Sequence, residues 1–172
     1  TTYKSTERSI AHDYLALSPQ DRLKTLVVIP DNMGRSAFNR EVHESRIKSG
    51  ELSANEHSLD ILVNSNLNAA QRRDVRYYSP DQYIEFQRDH EKFKGGEFWR
   101  VWDVNTENRV LRLKNEKGDI RDFHPSQIPQ DSKFSVDVFE KDKILVSEGE
   151  ILRVSKSRKG LNIRNGDELT VK

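Results

Sequence analysis

The sequence predicts an α+β chain: a partial α/β N-terminal part followed by two small β-barrel subdomains. Three observations predict it. The first fifty or so residues carry helically spaced apolar positions around one continuous β-branched run, TLVVIP at 25–30. From Tyr77 onward the apolar residues alternate or come in short groups with Gly and Asn turns between them. A pattern of acidic turn, strand, basic loop, Gly-acid turn and strand then occurs twice. The divisions expected are 1–66, 67–128 and 129–172.

The elements follow from local chemistry. Ile10, Tyr14 and Leu17 are spaced by four and three, which is one face of a helix over residues 5–17. Ser18-Pro19-Gln20-Asp21 reads as a cap, a proline at the first helical position and an acidic first turn. TLVVIP is apolar throughout and ends in proline, the signature of a strand buried on both faces of a parallel sheet. Asp31 or Asn32 caps a helix running to about Ser49, with Ala37, Phe38, Val42 and Ile47 on its apolar side and Gly50 as its stop. HSLDILVNS at 57–65 is read as the next strand of that same sheet.

Asn68 and Gln71 have capping-box spacing before a short basic helix containing Arg72, Arg73 and Arg76. Strands are expected near 82–86, 97–104, 108–113 and 119–123, with turns at Gly95-Gly96, Asn105-Thr106 and 115–118. Four or five strands in about 50 residues predict a small SH3-like barrel. Residues 125–133 read as a linker. The last subdomain is expected to be incomplete at Lys172, either borrowing a strand such as 134–140 or truncated.

The internal repeat underlies the tandem reading. Asp81–Phe86 leads, ten residues on, to Gly96-Glu97-Phe98; Gly149–Val154 leads, twelve on, to Gly166-Asp167-Glu168-Leu169.

Composition narrows the chemistry. Across 172 residues, 29 basic and 28 acidic side chains leave a net charge of +1, so any polyanion site must be a local patch. The absence of cysteine removes disulfides, thiol catalysis and thiolate metal sites and fits a cytosolic setting. No apolar run approaches the ~20 residues that span a bilayer, and no secretory signal opens the chain, so membrane insertion is not expected. The start at Thr1 without methionine and the ending at Lys172 suggest an excised fragment. His12, His43, His57, His90 and His124 are scattered, and no pair has ligand spacing. The chain lacks G-x-x-x-x-G-K-[ST], G-x-G-x-x-G and a nucleophile elbow, which argues for a binding module rather than an enzyme.

Two basic clusters are candidate phosphate contacts. One is Arg72, Arg73 and Arg76 beside Tyr77 and Tyr78; the other is Lys156, Arg158, Lys159 and Arg164. Each also reads as an ordinary solvated surface. Trp99 and Trp102 are three apart on one strand and face opposite sides, one to the core and one outward.

Residues 25–52, with Asn32, Arg35, Phe38 and Asn39, resemble the segment around motif IV of RecD-type superfamily 1 helicases. Residues 78–103 are similar to the inserted SH3-like 2B subdomain of those helicases. Residues 149–171 resemble the family segment G-D-R-I-R-x-T-x-N-D-x-x-x-x-I-x-N-G-D. The combination looks most like the conjugative relaxase-helicases of the F-plasmid type.

That resemblance implies a RecA-like 2A N-terminal part and a parent protein that is a DNA relaxase and helicase using ATP and Mg. It implies a cytoplasmic protein of the donor bacterium, translocated to the recipient through a type IV secretion channel. Arg35 matches a residue that helps bind ATP phosphates in an intact motor. Without the Walker loop it is vestigial here, and no cofactor is expected in this chain. Translocation signals in the family resemble G-[ED]-R-[LM]-R-[VF]-T. Gly149, Glu150, Leu152, Arg153 and Val154 match, with Ile151 in place of Arg and Ser155 in place of Thr. The implied partner is the type IV secretion coupling protein. Two other readings stand beside this one: a single-stranded DNA clamp of a helicase, and an RNA-binding small barrel, against which the α/β half argues.

Overall fold

A computed structural model describes residues 3–129, 136–157 and 162–172. In chain order its elements are α1 (Tyr3–Ala16), α2 (Pro19–Lys24), α3 (Asn32–Lys48), β1 (Glu56–Asn64), α4 (Ala69–Arg72), β2 (Tyr83–Phe86), β3 (Phe98–Asn105), β4 (Val110–Lys114), β5 (Ile120–Phe123), β6 (Val136–Ser147), β7 (Ile151–Arg153) and β8 (Glu168–Thr170). Single 3-10 turns occupy Val75–Tyr77 and Pro125–Gln127. The chain divides into two units, Thr1–Leu59 with Ile144–Lys172, and Asp60–Lys143. The chain thus leaves the first unit within β1 and returns to it within β6.

In the first unit, α1 packs on α3 through Ala11, Ile29 and Phe38, joined by Ile10, Tyr14, Val27 and Val42. The Tyr14 and Phe38 rings meet edge to face with centroids 5.6 Å apart, a favoured aromatic geometry. Ser18 caps α2 with Pro19 at its first position, as its sequence dictates. Asp31 caps α3, its Oδ1 accepting from the Gly34 N–H at 2.7 Å. Gly34 is needed there because a Cβ would stand 2.9 Å from Ile29 Cγ2. Arg22 is buried and donates twice to Glu51, which also accepts from Arg46 at 3.2 Å. These bonds, with Arg22 foremost, hold the Glu51 carboxyl below its ordinary range.

The second unit holds the large core. Strand order is β1-β6-β2-β3-β4-β5, and β2 to β5 form an antiparallel meander. Ser65 N–H bonds Val138 O while Lys143 lies 3.9 Å from Asp60, so β1 and β6 run in opposite directions. Ile84, Trp99, Val101, Leu111 and Leu113 are wholly buried. Phe93 stacks on Phe86 at 4.4 Å and meets Trp99 edge-on at 5.1 Å. A bulge between Val101 and Asp103 interrupts the β3–β4 ladder beside Trp102. Trp102 is about half exposed, and Lys114 Nζ lies 4.5 Å from its ring centroid.

Several expectations need correction. TLVVIP forms no strand. Among the described residues no strand pairs with it, and it runs as irregular chain with Val27 and Ile29 inward and Leu26 and Val28 exposed. β1 does not extend a sheet with that run; it is an edge strand next to β6. Of the expected linker 125–133, residues 125–128 are packed rather than free, because Pro125 and Ile128 are buried, and 130–133 lie outside the described residues. The described part of 134–140 is not lent to the last subdomain: Val136–Phe139 pairs with β2.

The sequence repeat is also a repeat of hydrogen bonds. Asp81 N–H bonds Val101 O and Val101 N–H bonds Gln82 O; likewise Gly149 N–H bonds Val171 O and Val171 N–H bonds Glu150 O. Gly96 N–H bonds Phe86 O as Gly166 N–H bonds Val154 O, each at 2.8 Å. Tyr83, Ile84 and Glu85 face Arg100, Trp99 and Phe98; Ile151, Leu152 and Arg153 face Thr170, Leu169 and Glu168. Asp81 and Gly149 both have positive φ, as do Gly96 and Gly166. The shared turns place a left-handed residue before the first strand and another before the second.

Candidate functional site

The β7–β8 hairpin carries the signal-like residues. Gly149 is the third residue of the turn from Ser147 to Glu150, with φ of 89°, a conformation that glycine adopts without steric cost. Leu152 and Val154 are half-buried, whereas Ile151, Arg153 and Ser155 are exposed on the opposite side. Alternation along a strand therefore makes Arg153 the outward member of the Leu152–Arg153 pair. Arg153 faces Glu168 across the ladder, opposite charges side by side on an exposed face.

Glu150 is engaged inward. Its Oε2 accepts from the Ser147 N–H at 2.8 Å, and its Oε1 lies 2.9 Å from His43 Nδ1. His43 Nε2 lies 2.8 Å from Glu56 Oε1. His43 comes from α3, Glu56 opens β1, and Glu150 begins the hairpin. Burial works against an imidazolium, but the hydrogen bonds to Glu56 and Glu150 outweigh it and hold the His43 pKa above the ordinary histidine value. Geometry says the same. A neutral imidazole has one N–H donor, whereas two carboxylates here each face a ring nitrogen. Local spacing did not reveal this histidine, because its partners lie 13 and 107 residues away.

The other predicted residues are dispersed. Arg35 donates to Ile29 O and to Asn32 Oδ1, which ties it back to its own helix start. The carbonyl of Arg72 accepts from the Tyr78 hydroxyl at 2.6 Å, and burial pushes that phenol's pKa up. Arg73 is half-buried and Arg76 exposed. Arg76 is held by Asp74 through bonds of 2.5 to 3.0 Å, which pull the Asp74 carboxyl down to about 2. Lys156 is exposed, and the neighbouring Ser157 Oγ accepts from the Asn165 N–H at 2.8 Å. Arg158 and Lys159 lie outside the described residues. The described residues contain no group of three His, Asp or Glu side chains placed to hold a metal ion, and no helix long and apolar enough to cross a membrane.

The architecture is that of an antiparallel β domain inserted into a unit that holds the three N-terminal helices and the β7–β8 pair. Residues 61–146 match the family described as DNA relaxase TraI 2B/2B-like domain, and the chain belongs to that family. It is also 24% identical over 149 residues to the multifunctional conjugation protein TraI of Escherichia coli, with the same identity to that of strain K12. Each alignment covers 87% of this chain but only 8% of the relative. The chain therefore spans a small part of the length of these relatives.

Proposed function

We propose that this chain is the translocation-signal region of a conjugative relaxase-helicase, recognised by the type IV secretion coupling protein in the donor cytoplasm and carried to the recipient. The observation that carries the reading is the 149–155 segment: a signal-like sequence on an exposed two-stranded hairpin, with Arg153 and Ser155 outward and Leu152 half-buried beneath. Membership in the TraI 2B/2B-like family, and a relative named as a conjugation protein, support it. In this reading Arg153 supplies a charge-assisted contact, and Glu150 fixes the turn through His43 rather than touching the partner. The helical unit is then a partial RecA-like 2A region, the middle unit an SH3-like 2B barrel, and ATP and Mg serve the parent motor.

The test is transfer of this chain, fused to a reporter recombinase, from donors carrying the secretion machinery. Arg153→Glu and Leu152→Ala are expected to abolish recombination in recipients while leaving the fold, read by circular dichroism, unchanged. Normal transfer by folded Arg153→Glu refutes the reading.

The second reading, a single-stranded DNA clamp, is favoured by the Arg72, Arg73 and Arg76 cluster at the start of the β unit. It predicts oligonucleotide affinity that falls steeply with salt. The two readings are compatible in one parent protein.

A further inference from the structure

A cavity of about 470 Å³ opens in the β unit, within the range of ligand pockets. Its lining brings together Arg73 and Arg76 from the α4 region, Thr106 and Arg109 from the β3–β4 turn, and Ser126 from the second 3-10 turn. These stretches are far apart in sequence, so their convergence is a product of the fold.

The electrostatics are those of an anion site. Three guanidiniums meet one carboxylate, Asp74, which stays ionised and is engaged with Arg76. Neither Arg73 nor Arg109 donates a side-chain hydrogen bond to another described residue. Arg109 feels Asp74 only through space. It also sits at φ of 54°, where a side chain other than Gly or Asn is disfavoured. An arginine kept in a costly conformation, lining a cavity and without a side-chain hydrogen bond to any described residue, points to a role for its side chain.

We propose that this cavity is a phosphate-group binding site. Arg73 and Arg109 each present a planar fork of N–H donors suited to bidentate contact with phosphate oxygens. The Thr106 and Ser126 hydroxyls add donors of adjustable direction. Arg76 holds Asp74, so that carboxylate faces a cation. The phosphate is either a phosphodiester of single-stranded DNA or a free phosphate anion. This site is separate from the 149–155 hairpin, so its failure leaves the signal reading untouched; it deepens the clamp reading by naming the contacts.

The test uses the whole 172-residue chain. Anisotropy of a labelled oligothymidylate is measured at about 50 mM salt and above, and calorimetry with inorganic phosphate and pyrophosphate runs alongside. Arg109→Gly suits the left-handed backbone, so it removes the side chain without straining the turn. Combined with Arg73→Ala, it is expected to weaken binding at least tenfold and to lower the salt slope by about 1.4, the share of two phosphates on a single strand. Arg112→Ala, which breaks an exposed pair with Asp122, is expected to bind like the parent. Oligonucleotide binding without phosphate binding assigns the site to a DNA backbone; saturable phosphate binding lost in the double variant assigns it to a free anion. Wild-type affinity in the double variant, or no binding of either probe, overturns the proposal.

Discussion

Replacing His43 by Gln removes the charge between Glu56 and Glu150 and leaves the volume nearly unchanged. Hydrogen bonds to charged groups contribute about 1.5–3 kcal/mol each when buried. The Glu150 end counts nearly in full, because that side chain is only 16% exposed. The Glu56 end counts for less, about 0.5–1 kcal/mol, because Glu56 is 38% exposed and water screens it. The expected loss is therefore about 2–4 kcal/mol, read by urea denaturation. At roughly 2–4 °C per kcal/mol for a chain of this size, Tm falls by about 5–15 °C. The loss depends on pH in a defined direction. His43 has its folded pKa raised, so its contribution is fully present below the unfolded value of about 6.5 and fades as pH rises through the folded pKa. The gap between wild type and His43→Gln is thus widest below the unfolded value and narrows as pH rises through the raised folded pKa. The repeat supplies the compensating change. Gln82 holds the position of Glu150 in the first copy, and its Oε1 accepts from Ser79 N–H as Glu150 accepts from Ser147 N–H. Glu150→Gln should restore part of the stability lost in His43→Gln. A gap that is flat or widens with pH, or a double variant worse than the sum of the singles, refutes the charged-imidazole argument.

Trp99→Ala is expected to lose about 3–5 kcal/mol in urea denaturation, because the side chain is wholly buried, whereas Trp102→Ala, half exposed, should stay within about 1 kcal/mol. Gly34→Ala should destabilise by about 1 kcal/mol or more, although Gly to Ala in an open helix gains about that amount, because the new Cβ meets Ile29 and the Asp31 cap; thermal melts give the sign. Gly149→Ala should cost about 1–2 kcal/mol, since nothing crowds its Cβ but φ is 89°, and Gly149→Asn should recover part of it.

What the sequence revealed, and what it hid, divides by the range of the interaction. Caps at Ser18, Asp31 and Asn68 were legible because each involves residues three apart. The strands of the β unit were legible from alternation, and the opposite fates of Trp99 and Trp102 from their odd spacing. TLVVIP misled because a continuous apolar run reports high burial propensity without saying whether a partner strand is near. A strand near 134–140 was legible, but its pairing was hidden for a related reason: it joins β2 to residues fifty or more positions away, and nothing local specifies it. The His43 pair and the Arg109 cavity were invisible on the same ground, since each assembles side chains from separate segments.

The repeat suggests how one sequence pattern serves two ends. In the first copy the cross-strand pair Ile84–Trp99 is wholly buried, covered by the rest of the six-stranded sheet and its aromatic cluster. In the second copy the equivalent pair is Leu152–Leu169, and Leu169 is 45% exposed. Among the described residues only two strands form that second sheet. The turns, the left-handed positions and the ladder are the same in both, so the hairpin geometry does not depend on a deep core. His43, through Glu150, secures the second copy where burial secures the first. A hairpin fixed by its turns and one buried ion pair can therefore leave Ile151, Arg153 and Leu169 exposed without losing its ladder.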